Sequence, residues 1–183
     1  PVCAQLSNAA ALLSSAKQLG AFPNVALKWS AGQGNWATIP WIAALDSRET
    51  TRTSHGVYVV YLFRADMSGL YLTLNQGTTL VSAEFGREAH AVLRSRAAKL
   101  RKSAAGLSKR GFDLDDRVQL AHASPIVRSY EAATVAHKFY PRGELPTDSR
   151  LLDDLEAVLQ VYAALVPSRN IVGRSAQRED DDS

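Results

Sequence analysis

The chain has 183 residues, of which 46% are hydrophobic, and a formal net charge of +3. This length and composition suffice for one domain with its own core, and the charge permits an anionic partner without demanding one. The single cysteine excludes an internal disulfide, and the four scattered histidines (His55, His90, His122 and His137) lack the spacing of zinc ligands.

Export and membrane signals are absent from the sequence. No apolar run approaches the roughly 20 residues that span a bilayer, and the N-terminus lacks a basic-then-apolar signal pattern. With Cys3 as the only cysteine, we expect a reducing, cytoplasmic compartment and no membrane partner. The chain begins with Pro1 and ends in the charged residues 178–183. We therefore expect a single domain over residues 1–173, and over 174–183 a charged tail or linker to a downstream module.

The first half of the chain predicts one helix followed by four strands. Apolar residues recur at intervals of three and four over residues 4–19, which predicts a helix that Gly20 and Pro23 end. Four β-rich runs follow, over residues 25–30, 39–45, 56–63 and 69–74. Because the connections between these runs are of hairpin length, we expect antiparallel pairing.

The second half predicts two further helices and a fifth strand. Residues 87–102 combine an apolar face with a basic face, which is typical of a surface helix. Residues 134–140 alternate as a strand does, whereas the short apolar pieces at 118–120 and 126–127 stay ambiguous. A last helix is predicted over residues 151–165.

Thr147 or Asp148 is expected to cap this last helix and Pro167 to end it. The whole pattern predicts an α+β fold. In this fold a mainly antiparallel, curved sheet of about five strands is flanked by helices from the chain ends and middle.

A glycine loop that leads into aromatic residues precedes the second predicted strand. Gly32 and Gly34 flank Gln33, and glycine permits positive φ and a close approach of the backbone to a ligand. Asn35 is itself a turn former. Trp41 follows directly after this loop and its proline, and the next strand is rich in aromatic residues. Two aromatic planes near a glycine tip would form a slot for a flat, polar molecule such as a nucleobase.

Several of these segments resemble the N-terminal DNA-binding domain of McrB-type modification-dependent restriction systems. The similarity is densest over residues 25–30, 32–46, 56–63 and 71–77, and a looser one extends over 130–140, 145–146 and 151–162. The resemblance implies a type IV restriction (phage defence) protein. Its N-terminal domain would recognise 5-methylcytosine or 5-hydroxymethylcytosine in duplex DNA by flipping the base into a pocket. It also implies fusion to an HNH-type nuclease or a GTP-driven motor in the same chain.

The resemblance implies roles for individual residues. Trp41 and Tyr58 would be the two walls that sandwich the extruded base, and Leu62 would be another part of the wall. Tyr58 and Leu62 are four apart in a strand and therefore share a face. Gln33, where the McrB domain has an aromatic residue, would fill the gap left in the duplex, on a loop backbone formed by Gly32, Gly34 and Asn35. From the residues alone, Trp41 at the start of an apolar strand instead favours a core position.

Basic residues near these loops are expected to contact phosphates. The set is Lys28, Arg48, Arg52 and Arg64. Arg48 and Arg52 are the strongest of the four, because they lie in the polar connection 46–55. The basic run over residues 94–102, with Lys109 and Arg110, is compatible either with phosphate contacts or with a solvated helix face.

The sequence contains no set of nucleophile, base and acid residues at a spacing that would identify a catalytic site. Two paired carboxylates, Asp115–Asp116 and Asp153–Asp154, come without a lysine spaced as in a nuclease centre, and the glycine loop lacks the Lys-Ser/Thr of a phosphate-binding loop. We therefore predict a non-catalytic recognition module that needs no metal or cofactor. Two alternatives stay open: a small nucleic-acid hydrolase using Asp115, Asp116 or His137, and an RNA or protein interaction module.

Overall fold

The computed structural model describes residues 2–31 and 39–180, with side chains described over 4–31 and 39–167. A single five-stranded sheet organises these residues, and every pair of neighbouring strands is antiparallel and consecutive in the chain. The strands are β1 (Val25–Ser30), β2 (Trp41–Asp46), β3 (Val57–Phe63), β4 (Gly69–Gln76) and β5 (Ala136–Pro141). The predicted α+β fold with a mainly antiparallel sheet is confirmed.

The α-helices of the described residues occur at both chain ends and between β4 and β5. They are α1 (Val2–Ser15), α2 (Thr79–Phe85), α3 (Ala89–Ser103), α4 (Pro125–Ala132) and α5 (Asp148–Asp180). The first predicted helix is shorter than expected, because α1 ends at Ser15 and a separate 3-10 helix covers Lys17–Ala21. Helices α2 and α4 were not predicted, and α4 includes the ambiguous piece at residues 126–127.

The last helix is longer than predicted. Helix α5 continues through Pro167 to Asp180, so the prediction that Pro167 ends it is wrong. Proline cannot donate the i→i−4 hydrogen bond, and the helix therefore continues with one bond fewer. The start of α5 agrees with the predicted cap, since the Thr147 hydroxyl accepts a hydrogen bond from the Arg150 N–H at 3.4 Å. The division into a domain over 1–173 and a tail over 174–183 stays a prediction.

Both faces of the sheet are covered, each by a different part of the chain. On one side, here the α5 face, the Tyr140 hydroxyl donates to Asp154 of α5 at 2.9 Å. On the other side, here the α4 face, the amide of Asn75 donates to the backbone oxygen of Tyr130 in α4 at 3.3 Å. Since side chains alternate along a strand, the residues of β3 divide between these two faces.

The α5 face contains a buried carboxylate. The Asp154 side chain is 4% exposed, lies 2.8 Å from the Lys138 ammonium and accepts the Tyr140 hydroxyl. A buried charge is stable only when it is paired and hydrogen-bonded in this way. Burial, together with the Asp154 carboxylate, raises the pKa of Tyr140 far above its usual value, so this tyrosine remains a neutral donor. Asp154 therefore joins α5 to β5.

Gly77 brings the connection between β2 and β3 against the start of α2. Its N–H donates to the Gly56 carbonyl at 2.8 Å, and a Cβ at this position would overlap the His55 backbone. Any side chain here would force the two segments apart. The connection before β3 and the residues after β4 therefore meet backbone to backbone.

We expect Tyr162→Phe to destabilise the domain. Tyr162 of α5 is fully buried, and its hydroxyl accepts the Asp46 N–H of β2 at 3.0 Å. Without that hydroxyl, a buried N–H loses its partner, so the free energy of unfolding should fall by about 1–3 kcal/mol in urea denaturation at pH 7. The control is Tyr130→Phe, because the Tyr130 hydroxyl makes no hydrogen bond within the described residues. Equal losses in the two variants would contradict the role of this bond.

Candidate nucleic-acid interface

A cavity on the α4 face brings the three predicted pocket residues together. Trp41 begins β2 and is paired with Leu62 of β3, and Tyr58 lies four residues before Leu62 on the same strand. All three side chains line one cavity of about 60 Å³. Trp41 is partly buried against the main core rather than enclosed within it. Its indole therefore remains available to a ligand.

The rest of the cavity wall comes from separate places in the chain. Val60 and Asn75 belong to the sheet, Thr53 to the connection before β3, Thr78 and Thr79 to the start of α2, and Tyr130 to α4. The lining thus combines three aromatic rings with hydroxyl and amide groups. Rings bind a flat molecule by stacking, and polar groups at the rim can bond to its edge.

Tyr58 is a buried part of the cavity wall, and a hydrogen bond fixes its ring. Its side chain is 5% exposed, and its hydroxyl donates to the backbone oxygen of Thr53 at 3.1 Å. Burial raises the pKa of Tyr58 far above the usual range for tyrosine, so the phenol stays neutral. A cavity of 60 Å³ is smaller than the roughly 300 Å³ of common ligand pockets, and a base can enter only if the wall opens.

Asn75 positions the α4 side of the cavity. Its carbonyl oxygen accepts the Gln76 N–H at 2.8 Å, and its amide donates to the Tyr130 backbone oxygen at 3.3 Å. Tyr130 also accepts the Thr134 hydroxyl at 3.0 Å through the same oxygen. The end of α4 is therefore tied to β4, and this contact fixes where the Tyr130 ring meets the cavity. Sequence reasoning missed both Asn75 and Tyr130.

Three of the four cations predicted to contact phosphates are associated with the connection before β3. Lys28 of β1 donates to the backbone oxygen of Thr51 at 2.7 Å. Arg48 binds the buried Asp46 carboxylate through two contacts, of 3.0 Å from Nε and 2.7 Å from Nη2. Arg52 is exposed, and within the described residues its side chain has no hydrogen bond or ion pair.

The fourth predicted cation lies elsewhere. Arg64 follows the last residue of β3, so the strand's seven residues, roughly 20 Å, separate it from the connection before β3. It is only partly exposed, its guanidinium lies 5.9 Å from the centre of the Phe139 ring, and its Nη2 is 3.6 Å from Asp66. The four cations therefore do not form one continuous patch.

The residues of the predicted glycine loop, Gly32, Gln33, Gly34 and Asn35, lie outside the described residues. Their roles stay predictions.

A family model described as "MrcB-like, N-terminal domain" matches residues 7–167. This range includes all five strands and the whole cavity lining. The chain belongs to the MrcB-like N-terminal domain family. The McrB-type resemblance is thereby confirmed, and the domain is a DNA-binding module of type IV restriction systems, of a kind attached to other modules in McrB-type proteins. No curated protein matches the chain.

The basic helix of this MrcB-like domain is partly occupied by internal contacts. Arg94 pairs with Asp116 at 2.8 Å, and Arg101 donates to the backbone oxygens of Thr134 and Val135. Arg96 lies over the Phe85 ring, with 5.6 Å between its guanidinium carbon and the ring centroid. Several of the cations on α3 therefore stabilise the fold, which weakens the interpretation of this helix as a phosphate track.

The groups proposed for a hydrolase are engaged in structural contacts. His137 is 5% exposed, and its Nε2 lies 2.8 Å from an Asp115 oxygen. Burial opposes ionisation of Asp115, but the bonds from His137 and Arg117 outweigh it and lower the pKa of this carboxyl. In the described part of the chain, no three His, Cys, Asp or Glu side chains lie close enough together to hold a metal ion. His137 and Asp115 therefore bind each other, and this contact gives no support to a hydrolase.

Among the described helices, none is both long enough and apolar enough to cross a lipid bilayer.

We expect the stability contributed by Arg48 to depend on pH. Burial opposes ionisation of Asp46, yet the bonds from Arg48 outweigh it and hold the pKa of this carboxyl below its usual 3.8. A depressed folded-state pKa contributes stability above the unfolded-state value and loses it as pH falls through the folded one. Arg48→Ala should therefore lower the melting temperature most near pH 7, and the deficit should shrink below pH 3.8.

Arg52→Ala is the matched control for this experiment. The Arg52 side chain has no carboxylate partner within the described residues, so its removal should change the melting temperature little at either pH. A deficit for Arg48→Ala that stays constant from pH 7 to pH 3 would show that the ion pair with Asp46 is not its source.

Proposed function

We propose that this MrcB-like domain binds duplex DNA containing 5-methylcytosine or 5-hydroxymethylcytosine, and that the modified base leaves the helix and enters the cavity on the α4 face. The observation that carries the proposal is that Trp41, Tyr58 and Leu62, from two strands, line the same cavity. An HNH-type nuclease or a GTP-driven motor attached to the domain would then act on the bound DNA.

The aromatic residues supply the energy that base extrusion needs. Stacking one base on an aromatic ring is worth about 1–3 kcal/mol. Extruding a base costs a few kcal/mol. Contacts with two rings, Trp41 and Tyr58, together with burial against Leu62, therefore offset the cost of flipping.

Discrimination between modified and unmodified cytosine should be modest. One buried methyl group contributes about 0.8 kcal/mol, which is about a fourfold difference in affinity. The hydroxyl groups of Thr53 and Thr78, which line the cavity, are suited to bond with the polar edge of a base, whereas the Asn75 amide is already engaged by Gln76 and Tyr130. Methyl recognition then depends on contact area, and hydroxymethyl recognition adds a polar contact.

The proposal also assigns residues outside the cavity. Gln33 would enter the duplex and bond with the unpaired guanine, on a loop whose glycines, Gly32 and Gly34, permit close approach of the backbone beside Asn35. Arg52 is the best placed of the four cations for a phosphate, because it is exposed and unpaired within the described residues. Lys28, Arg48 and Arg64 each have an internal contact that a phosphate would have to compete with or share.

We expect Trp41→Ala to lose most of the preference for modified DNA. Wild-type protein should bind a 5-methylcytosine duplex more tightly than the same unmodified duplex, measured by fluorescence anisotropy. Loss of one stacking ring should weaken binding to the modified duplex by roughly 5- to 150-fold. The control is Trp29→Ala, because Trp29 is an exposed tryptophan of β1 that does not line the cavity.

Base extrusion itself is measured with 2-aminopurine placed beside the modified base. Its fluorescence should rise on saturation with wild-type protein and should stay low with Trp41→Ala. Equal affinity of wild-type protein for modified and unmodified duplexes, across a salt titration, would remove the proposed function. An unfolded Trp41→Ala protein, detected by the loss of a cooperative melt, would assign Trp41 to the core.

We expect Arg52→Ala to weaken binding to modified and unmodified duplexes equally. A phosphate contact carries no sequence information, and its loss should reduce the slope of log affinity against log salt by about 1. Lys17→Ala, an exposed cation near α1, serves as the control and should leave the slope unchanged. A selective loss for modified DNA in Arg52→Ala would instead place this side chain at the base.

A further inference from the structure

Phe139 of β5 lies on the same face of the sheet as the cavity. Trp41, which lines the cavity, is paired with Leu62 of β3. Leu62 is in turn paired with Tyr71 of β4, and Tyr71 with Phe139. Directly paired residues of antiparallel strands share a face, so these four side chains form one row across the sheet. Leu62 and Tyr71 are buried, whereas Phe139 is exposed at the far end of the row.

Contacts within the sheet fix the position of the Phe139 ring. The ring packs against the backbone of Gly69, where an added Cβ would lie only 2.7 Å from two of its atoms. Its centroid is 4.7 Å from that of Tyr71, with 39° between the two planes. The Tyr71 hydroxyl accepts the Gln119 N–H at 3.3 Å, which holds the supporting ring in turn. Phe139 therefore presents a fixed apolar surface to solvent.

The Arg64 guanidinium lies beside this ring with its hydrogen-bonding groups unused. Its carbon is 5.9 Å from the Phe139 centroid. Within the described residues its Nε has no partner, and no hydrogen bond joins the side chain to another residue. Nη2 is 3.6 Å from Asp66, too far for a hydrogen bond, and Asp66 accepts the Ser68 N–H and hydroxyl instead. An arginine that lies against an aromatic ring keeps its N–H edge available for an oxyanion.

This pair of side chains matches the sugar–phosphate backbone of DNA. A guanidinium binds two phosphate oxygens through parallel N–H bonds. An apolar ring beside it can pack against the C–H groups of the neighbouring deoxyribose. Because Phe139 and Trp41 belong to one row of the sheet, a duplex whose base enters the cavity also approaches Arg64. Continuity with the cavity thus favours DNA over a protein ligand.

The row sets the distance between the cavity and this second contact. Trp41 and Phe139 are three strand spacings apart, which is about 14 Å at roughly 4.8 Å per spacing. A duplex rises by about 3.4 Å per base pair. Along a duplex whose axis follows the row, the separation therefore corresponds to about four base pairs.

We infer that Arg64 and Phe139 hold the DNA backbone at a phosphate about four base pairs to one side of the extruded base. Arg64 binds the phosphate, and Phe139 packs against the adjoining sugar. The contact carries no sequence information and instead anchors one flank of the duplex while the base is out of the helix. This inference rests on the proposed function, because the base in the cavity defines where the flank lies.

The test replaces single phosphates of a 5-methylcytosine duplex by neutral methylphosphonates, in both strands and on both sides of the modified base. Binding is measured by fluorescence anisotropy. For wild-type protein, a replacement about four base pairs from the base should weaken binding by roughly tenfold, because it removes the charge that Arg64 binds. Arg64→Gln should weaken binding of the unsubstituted duplex by a similar factor. It should lose nothing further at that position, since the contact is already absent.

Two matched controls accompany the scan. Lys17→Gln, at an exposed cation near α1, should show the wild-type loss at the same phosphate. Phe139→Ala should weaken binding of the unsubstituted duplex by roughly threefold, whereas Leu12→Ala, at an exposed apolar residue of α1, should not. If Phe139→Ala fails to fold, the partly exposed Arg64 still decides the matter through Arg64→Gln.

The outcomes separate this inference from the proposed function. Equal effects of every methylphosphonate on wild-type protein and Arg64→Gln, with the preference for methylated DNA intact, overturn this inference alone. Wild-type affinity in Arg64→Gln also overturns it. No preference of wild-type protein for the methylated over the unmodified duplex overturns the proposed function itself.

Discussion

The pairing register between β2 and β3 is the constraint on which the cavity depends. It places Trp41 opposite Leu62 and Ala43 opposite Val60, so that these side chains and Tyr58 share the α4 face. Because side chains alternate with a period of two, a slip of one residue would turn Trp41 toward α5. Both faces of the sheet are buried, and a slip would exchange the residues that pack on each. The core therefore enforces the geometry of the cavity.

Long, periodic elements of this fold could be predicted from the sequence, and short ones could not. The apolar residues recur at a regular spacing over enough positions to reveal the five strands and three of the helices, those near residues 4–19, 87–102 and 151–165. Helix α2 has seven residues and α4 has eight, which is about two turns and too short for a clear apolar face. Ser124–Pro125 is a typical helix start and could have located α4. At Pro167, packing of the rest of α5 overrides the local preference.

The cavity could be predicted only in part for a related reason. Trp41, Tyr58 and Leu62 lie on strands whose pattern is visible in the sequence, and the McrB-type resemblance implied their roles. Thr78, Thr79 and Tyr130 come from the two short helices and approach the sheet through contacts distant in the chain. Strand β3 lies between Arg64 and the connection 46–55, and the phosphate contact of Arg64 stays a prediction. Arg48 and its partner Asp46 are only two residues apart, so this ion pair could have been predicted from the local sequence.

Because of the backbone contact at Gly77, the positions of the segments that form the cavity rim do not depend on the side chains that the rim carries. Thr53 and Thr78 lie on the two segments that this contact joins, and the joint uses main-chain atoms of Gly56, Gly77 and His55 rather than side chains. Substitutions at the rim thus alter polarity or size without moving the scaffold beneath them. If the cavity receives a modified base as proposed, single exchanges at residues 53, 78 and 79 would change which modifications fit, while residue 77 stays glycine. The rim is a position where specificity can evolve independently of folding.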